Sequence, residues 1–406
     1  MNSTKKAGDC MTKTEIRRRL LSDVLRLKTS EGYLNAGYPK FDGTLFGRDS
    51  LISALQMLNI DPRIAKSTLD ILAYYQSTTV DPKADAEPGK ILHNKHEESF
   101  GGKMYFGSVD ATPLFIIVAE EYFKKTGDRV FLLKIWDNII AAVNWMSVYG
   151  DADRDHFLEY ERKHQEGGLF HQGWRDSIMP DDHLNISPPV AIVEAQGYAY
   201  AAYRAAANLA SQLGKDSSLA NSWLEESKEL RKAFHKSFWW EKECYYYLAL
   251  DGKKTPKKSV SSNPGHLLFT GIIQEEILPR VVDRLFQPDL YTFYGIRTTS
   301  EKDPDFDALS YHLGSIWPHD NWVIYYGLKQ LGFIDEANRI KEGLVSAYKE
   351  LGHIPELFAV VDGGIVSLSG PTIGAKRSPY TNQIVYANNT QAWASCGLLN
   401  MLWDDV

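Results

Sequence analysis

Two carboxylic acids in this chain of 406 residues stand among aromatic and apolar neighbours. Asp176 follows Gly173-Trp174-Arg175, and Glu356 lies between Pro355 and Leu357-Phe358. Apolar surroundings disfavour the charged form of a carboxyl group, which makes both acids candidates for proton transfer. One acid that protonates an oxygen and one that activates water could together cleave an acetal such as a glycosidic bond. Each could instead cap a helix or stabilise a loop, and spacing alone gives neither a role.

Aromatic residues are abundant and many lie in polar connections that contain glycine or proline. The chain has 10 Trp, 22 Tyr and 17 Phe, which amount to 12% of its residues. Aromatic faces next to polar groups suit a sugar, since its C–H face can stack while its hydroxyls form hydrogen bonds. About half of these rings are expected to be core residues, and the others favour a carbohydrate ligand.

Three further motifs combine charged and aromatic residues where a helix is predicted to begin. In the motif at 317–322, core packing accounts for a tryptophan but hardly for the polar mixture. In the motif at 46–50, Asp49 could equally well serve as a helix cap paired with Arg48. The motifs are Phe46-Gly47-Arg48-Asp49-Ser50, Tyr105-Phe106-Gly107-Ser108-Val109-Asp110 and Trp317-Pro318-His319-Asp320-Asn321-Trp322. We predict a substrate-binding set consisting of Arg48, Asp49, Phe46, Trp174, Gln196, Trp317, His319, Tyr105 and Asp110, with Gln391 as a further amide that could face the cleft.

Asp151, Asp153 and Asp155 alternate as the first ligands of a calcium loop do. His156 stands where the turn of such a loop needs glycine, and Arg162 stands where it needs a bidentate glutamate. The segment is therefore predicted to be a polar turn rather than a metal site.

Apolar residues recur with helical spacing along most of the chain, which indicates amphipathic helices that need partners. Short turns join some helices and longer polar segments separate others, a pattern typical of stacked helical hairpins. We predict an all-α fold, an (α/α)6 toroid formed by residues 1–406 as one domain, with a small β-hairpin at 239–250. The predicted helices span 12–28, 48–60, 62–77, 109–126, 129–148, 188–213, 216–236, 262–272, 274–287, 312–331, 334–350 and 387–404.

Composition argues against several classes of protein. The net charge is -7 and lacks the basic stripe of a nucleic-acid-binding protein. No segment approaches the length of an apolar membrane span and no signal peptide is evident, so we predict a cytoplasmic protein without membrane contact. Cys10, Cys244 and Cys396 have no metal-ligand spacing and are expected to be reduced. Acid, base and water suffice for hydrolysis, so no cofactor is predicted.

Nine motifs, in order along nearly the whole chain, resemble the catalytic domain of bacterial and archaeal glycogen-debranching, amylo-α-1,6-glucosidase-like proteins. This group is related to mannosylglycerate hydrolase-like enzymes and more remotely to glucoamylases, all inverting enzymes with an (α/α)6 barrel. The motifs are LFGRDSLISALQML at 45–58, DAEPGKILHNKH at 85–96, YFGSVDATPLF at 105–115, FLEYER at 157–162, HQGWRDS at 171–177, VEAQGYAYAAYRAAANLA at 193–210, GSIWPHDN at 314–321, IPELF at 354–358 and NTQAW at 389–393.

The resemblance implies that Asp176 is the general acid, Glu356 the general base, and that Arg48 and Asp49 bind the terminal glucose. It also implies an exo-acting α-glucosidase that acts on oligosaccharides. The relatives commonly carry an N-terminal β-sandwich domain, and this chain begins almost at the barrel. That difference leaves a small-molecule glycosidase, acting on glucosylglycerate, mannosylglycerate or trehalose, as an alternative.

Two functions besides glycoside hydrolysis stay open at the level of sequence. The first is a toroid that binds glycans without catalysis. The second is a sugar epimerase, which would need paired histidines in the cleft, and the motif loops show no such pairing.

Overall fold

The computed structural model describes residues 11–95, 104–177, 186–368 and 387–403. Within these ranges the chain forms twelve α-helices: α1 (Lys13–Leu27), α2 (Gly47–Met57), α3 (Pro62–Tyr74), α4 (Ala111–Thr126), α5 (Arg129–Lys134), α6 (Trp136–Val148), α7 (Val193–Gln212), α8 (Ser217–Phe238), α9 (Leu278–Leu285), α10 (Pro318–Leu331), α11 (Ile334–Leu351) and α12 (Ala392–Trp403). A 3-10 helix, Asn263–Phe269, precedes α9.

The helices form two concentric rings, as the predicted (α/α)6 toroid requires. Each inner element packs against the next and the last returns to the first, in the order α2, α4, α7, the 3-10 helix, α10 and α12. Along the chain these inner elements alternate with outer helices α1, α3, α5–α6, α8, α9 and α11. The inner helices are buried over most of their surface, because both the outer ring and the neighbouring inner helices cover them. In α2, for example, every residue is buried.

Close packing of the inner ring depends on small residues. A Cβ atom at Gly327 in α10 would lie 2.5 Å from the Cβ of Leu268 in the 3-10 helix. Glycine therefore permits the contact that closes this part of the ring.

The observed helices differ from the predicted ones at several places. The segment 129–148 is interrupted at Ile135, and 262–272 forms a 3-10 helix instead of an α-helix. Helix α10 begins at Pro318, which fits the first turn because it needs no N–H donor there. Helices α7 and α12 begin five residues later than predicted, at Val193 and Ala392.

The strands are short and join the loops at the rim of the toroid. They are β1 (Gly37–Tyr38), β2 (Leu45–Phe46), β3 (Asn94–Lys95), β4 (Met104–Tyr105), β5 (Ala191–Ile192), β6 (Trp239–Trp240), β7 (Tyr245–Tyr246), β8 (Ala249–Leu250), β9 (Pro256–Lys257), β10 (Tyr291–Thr292), β11 (Gly295–Ile296), β12 (Phe358–Val361), β13 (Gly364–Ser367) and β14 (Thr390–Gln391). The predicted hairpin at 239–250 is present as β6 paired with β7, but β8 joins β5 and β9 in another sheet.

In the described ranges, no helix combines the length and apolarity that crossing a bilayer would demand. Cys244 is partly buried and Cys396 is buried, and neither forms a disulfide. Cys10 lies outside the described residues.

Candidate active site

The candidate residues meet because all six inner elements begin at the same end of the toroid. Arg48 and Asp49 lie in the first turn of α2, and Asp110 immediately precedes α4. His319 lies in the first turn of α10, and Gln391 immediately precedes α12. Helix N-termini carry partial positive charge, so this end favours carboxylates and developing negative charge.

Arg48 links two carboxylates at the centre of this end. Its Nε lies 3.3 Å from Asp110 Oδ2, and its Nη2 donates to Asp176 Oδ2 at 3.1 Å. It also donates through Nη1 to the Gly173 carbonyl at 2.6 Å. The sequence suggested that Arg48 pairs with Asp49, but its partners are Asp110 and Asp176. Arg48 thus attaches the loop that carries Asp176 to the inner ring.

Asp176 has the electrostatic environment of a proton donor. Burial raises the pKa of Asp176 from 3.8 to about 6; Arg48 opposes this, and the charges of Asp110 and Glu356 reinforce it. About 34% of its side chain is exposed, so a substrate can reach the carboxyl group. With a pKa of about 6, Asp176 is about half protonated near pH 6, and roughly a tenth of it still carries a proton at about pH 7.

Glu356 is held by two donors and is almost completely buried, with 2% exposed. The Tyr311 hydroxyl donates to Oε1 at 2.6 Å, and the Asn388 N–H donates to Oε2 at 2.7 Å. Burial, followed by the charge of Glu356, raises the pKa of Tyr311 well above its usual value, so the phenol is the donor. The two contacts fix the orientation of the carboxylate, as a general base requires.

Asp49 is a third carboxyl group in the same electrostatic neighbourhood. Burial raises the pKa of Asp49 to about 7; Arg48 opposes the shift, and Asp176 and Glu356 reinforce it. Its Oδ2 accepts a hydrogen bond from Gln391 Nε2 at 3.3 Å. Asp49 therefore retains a proton at mildly acidic pH.

Trp174, Trp317 and His319, three of the predicted substrate-binding residues, pack together as an aromatic wall whose rings are 2%, 2% and 0% exposed. The Trp174 ring meets Trp317 edge to face at 5.7 Å and His319 edge to face at 4.9 Å, measured between ring centroids. His319 stacks on Trp393 with centroids 3.6 Å apart and planes 4° apart. Burial lowers the pKa of His319 well below its usual value, so the ring is neutral.

Histidines do gather beside this wall, although the motif loops show no pairing in sequence. His266 stacks on Trp174 at 5.7 Å, and His312 meets Trp174 edge to face at 6.0 Å. His266 lies between the Tyr198 hydroxyl, 2.6 Å from Nδ1, and Asp320 Oδ1, 2.7 Å from Nε2. His266 and His312 are 0% and 1% exposed, so these rings belong to the buried packing around Trp174.

Phe46 lies at the rim, whereas the predicted binding residue Tyr105 has other partners. Phe46 meets His93 edge to face at 5.5 Å. The Tyr105 hydroxyl donates to Asp85 Oδ2 at 2.6 Å and accepts from the Leu169 N–H at 2.7 Å.

Gln196 is completely buried, and its amide supports the segment that contains Leu158. Its Oε1 accepts from the Leu158 N–H at 2.8 Å. Its Nε2 donates to the carbonyls of Leu158 and Ile192 at 2.8 and 2.9 Å. This set of partners uses both amide donors, so the geometry favours a structural role for Gln196.

The aspartate segment at 151–155 forms a turn. Asp151 Oδ1 and Oδ2 accept from the N–H groups of Asp155 and His156 at 2.9 and 3.1 Å. The carboxylates of Asp151, Asp153 and Asp155 lie within 4.8 Å of one another, as cation ligands would. Lys254 Nζ lies 3.0 Å from Asp153 and 2.6 Å from Asp155, so two of the three carboxylates share one side-chain ammonium.

A cavity of about 830 Å³ lies at the opposite end of the toroid, lined by the C-terminal halves of α4 and α7 together with α8. Its charged residues form pairs such as Lys124 with Glu120 at 3.0 Å and with Glu121 at 2.8 Å. The acids and aromatic residues that could perform hydrolysis are at the other end.

Five residues that interact with the candidate acids or join the rim loops were not among the predicted site residues. They are Lys40, His93, Tyr311, Asn388 and Asp85. Lys40 and Tyr311 lie in connections without a distinctive motif, and their contacts arise from the fold. Asp85 and His93 fall within the DAEPGKILHNKH motif, which was the available signal. Asp85 accepts from the N–H groups of residues 163 and 164 at 2.6 and 2.8 Å, in addition to Tyr105, and so joins rim loops.

Comparisons with known proteins concern the fold and the family of the chain. Residues 45–364 match the model of the mannosylglycerate hydrolase MGH1-like glycoside hydrolase domain. A crystal structure of a GH63 mannosylglycerate hydrolase from Thermus thermophilus in complex with glucose superposes with a TM-score of 0.69 at 16% identity, covering 96% of this chain and all of that one. A wild-type protein described as a glycosidase superposes with a TM-score of 0.66 at 13% identity, covering 97% of this chain and 96% of that one.

Two mannosylglycerate hydrolases of Selaginella moellendorffii, MGH1 and MGH2, are each 31% identical over 96 residues. The match covers 24% of this chain and only 20% of the length of either relative. Fold, site and family model together define a glycoside hydrolase, which sets aside the toroid without catalysis. The chain belongs to the MGH1-like glycoside hydrolase family.

Proposed function

We propose that this protein is an inverting hydrolase of α-glycosides with a small aglycone, of the glucosylglycerate or mannosylglycerate class. Asp176 protonates the departing oxygen, and Glu356 activates water from the opposite face of the sugar. Arg48, Asp49 and the wall of Trp174, Trp317 and His319 bind the glycone. The observation that carries the proposal is that the two carboxyl groups have different environments. Asp176 is partly exposed and has a pKa of about 6, whereas Glu356 is buried and oriented by two hydrogen-bond donors.

The motifs alone favoured a substrate in which the terminal glucose belongs to a glycogen-like chain. The family match instead favours a substrate with a small aglycone. Lys40 supports this choice. It is exposed near the acid, lowers the pKa of Asp176, and places Nζ 5.9 Å from the centroid of the Tyr311 ring. Among the residues that the structure describes, it has no carboxylate partner, so it can attract an anionic aglycone such as glycerate.

A substrate panel with NMR detection tests the activity. Glucosylglycerate, mannosylglycerate, trehalose and isomaltose are each mixed with enzyme, and the anomer released first is recorded. We expect the glycerate glycosides to be cleaved fastest, with the β-anomer first. Release of the α-anomer first would contradict inversion, and preference for isomaltose would restore the amylo-α-1,6-glucosidase interpretation.

Matched variants assign the roles. Asp176→Asn and Glu356→Gln should each lower kcat by at least about 100-fold while the protein remains folded. Lys40→Met should raise KM for glucosylglycerate several-fold but leave KM for uncharged glucosylglycerol unchanged. Lys83→Met, which changes an exposed lysine elsewhere, is the control. Equal effects of Lys40→Met on both substrates would show that Lys40 does not recognise the carboxylate.

A further inference from the structure

Hydrogen bonds through two side-chain amides connect Glu356 with Asp49. The Asn388 N–H donates to Glu356 Oε2 at 2.7 Å, and the Glu356 N–H donates back to the Asn388 carbonyl at 2.9 Å. Asn388 Nδ2 donates to Gln391 Oε1 at 3.1 Å, and Gln391 Nε2 donates to Asp49 Oδ2 at 3.3 Å. We call the side chains of Asn388 and Gln391 the amide bridge.

The amide bridge is buried along its whole length. Asn388 is 2% exposed and Gln391 is 1% exposed. Both side-chain amides donate through their nitrogen toward Asp49, whereas the backbone N–H of Asn388 donates in the other direction, to Glu356. Buried polar chains of this kind hold their members in one arrangement, because a rotated amide would leave donors and acceptors unpaired.

The backbone leaves space for the amide bridge at one position in particular. Gly37 in β1 pairs with Gln391 in β14. A Cβ atom at Gly37 would lie 2.1 Å from Asn388 Nδ2 and 2.4 Å from Gln391 Oε1. Any larger residue at position 37 would therefore displace the two amides.

We propose that the amide bridge is a positioning device that sets the distance between Glu356 and Asp49. Glu356 lies beyond α11 and Asp49 lies in α2, so these two carboxyl groups belong to separate parts of the ring. The inference rests on the proposed function, in which Asp49 holds the sugar and Glu356 holds the water that attacks it. Displacement of a reacting group by about 1 Å can lower a rate about 100-fold.

Three variants and one control test the proposal kinetically. Asn388→Ala keeps the backbone N–H that contacts Glu356 but removes the donor to Gln391. Gln391→Leu removes the donor to Asp49, and Gly37→Ala displaces both amides. Asn389→Ala changes the adjacent, exposed side chain and is the control. We expect kcat to fall about 10-fold to 100-fold in the three variants, with KM for glucosylglycerate within about threefold of the wild-type value.

A titration that does not depend on activity accompanies the kinetics. The carboxyl carbon signal of Asp49 is followed by NMR in the free protein. The charged groups facing Asp49 are Arg48, Asp176, Glu356 and Asp110. Loss of the Gln391 donor should raise the midpoint of the Asp49 titration in Gln391→Leu, because that hydrogen bond favours the ionised carboxylate.

The outcomes separate this inference from the proposed function. If the wild type hydrolyses none of the glycosides while the Asp49 titration shifts in Gln391→Leu, the proposed function fails and the bridge itself stands. If the wild type is active and the three variants keep wild-type kcat, the amide bridge is not a positioning device. An unchanged Asp49 titration in Gln391→Leu, or an equal loss of kcat in Asn389→Ala, would also overturn it.

Discussion

Asp110→Asn should change how kcat/KM depends on pH. We expect the alkaline limb of the profile, where kcat/KM falls as the pH rises, to move to lower pH. Asp110 and Asp176 contact the same guanidinium, through Nε at 3.3 Å and Nη2 at 3.1 Å. The negative charge of Asp110 raises the pKa of Asp176, which lies at about 6. Removing that charge also leaves Arg48 less compensated, and both effects favour the ionised form of Asp176. An ionised general acid cannot protonate the leaving group.

The magnitude follows from Coulomb's law. Across one guanidinium the two carboxylates are separated by about 7 Å, and an effective dielectric constant of about 20 gives roughly 2.4 kcal/mol. Because Asp176 is 34% exposed, solvent screening reduces this by roughly half, to about 1 kcal/mol. That free energy corresponds to a decrease of slightly less than about one pKa unit. The limb should therefore move from about pH 6 to between about pH 5 and 5.5.

The assay measures kcat/KM for glucosylglycerate from about pH 4 to about pH 8, because this ratio reports ionisations in the free enzyme. Thermal unfolding verifies that the variant is folded. Asp283→Asn, at an exposed position in α9, is the control and should leave the limb in place. A limb that stays near pH 6 or moves to higher pH in Asp110→Asn would refute the coupling between Asp110 and Asp176 through Arg48.

Two further predictions concern stability. Burial raises the pKa of Glu194 from 4.5 to about 7, so between these pH values the folded state binds a proton that the unfolded state has lost. The protonated carboxyl group therefore contributes stability that is complete below about pH 4.5 and is lost as the pH rises through about 7. Urea unfolding at about pH 5 and about pH 8 should therefore show a smaller difference between the two pH values in Glu194→Gln than in wild type, by up to about 3 kcal/mol; equal differences would contradict the assignment. Lys254→Met should lower the free energy of unfolding by about 1 kcal/mol without changing KM, since the aspartate turn loses its ammonium partner. Lys253→Met, at the adjacent exposed position, is the control, and a Lys254→Met variant as stable as wild type would show that this ion pair contributes nothing.

The sequence by itself was enough to predict the ring of helical hairpins and to identify Asp176 and Glu356 as the candidate acid pair. Helical spacing and turn lengths are local properties, and an amphipathic helix needs partners that cover its apolar face. Isolated carboxyl groups in aromatic motifs are also visible without coordinates. For this reason Asp176, Glu356 and the wall of Trp174, Trp317 and His319 could be proposed from their neighbours along the chain.

Only the tertiary structure decided which partners each polar group has. Arg48 reaches Asp110 and Asp176 and does not pair with the adjacent Asp49, and Gln196 uses its amide on Leu158. Hydrogen bonds and pKa shifts depend on distances of a few ångströms between segments far apart in the chain, and burial depends on the whole ring. Spacing along a sequence contains neither quantity, so the same residue types could have formed surface caps.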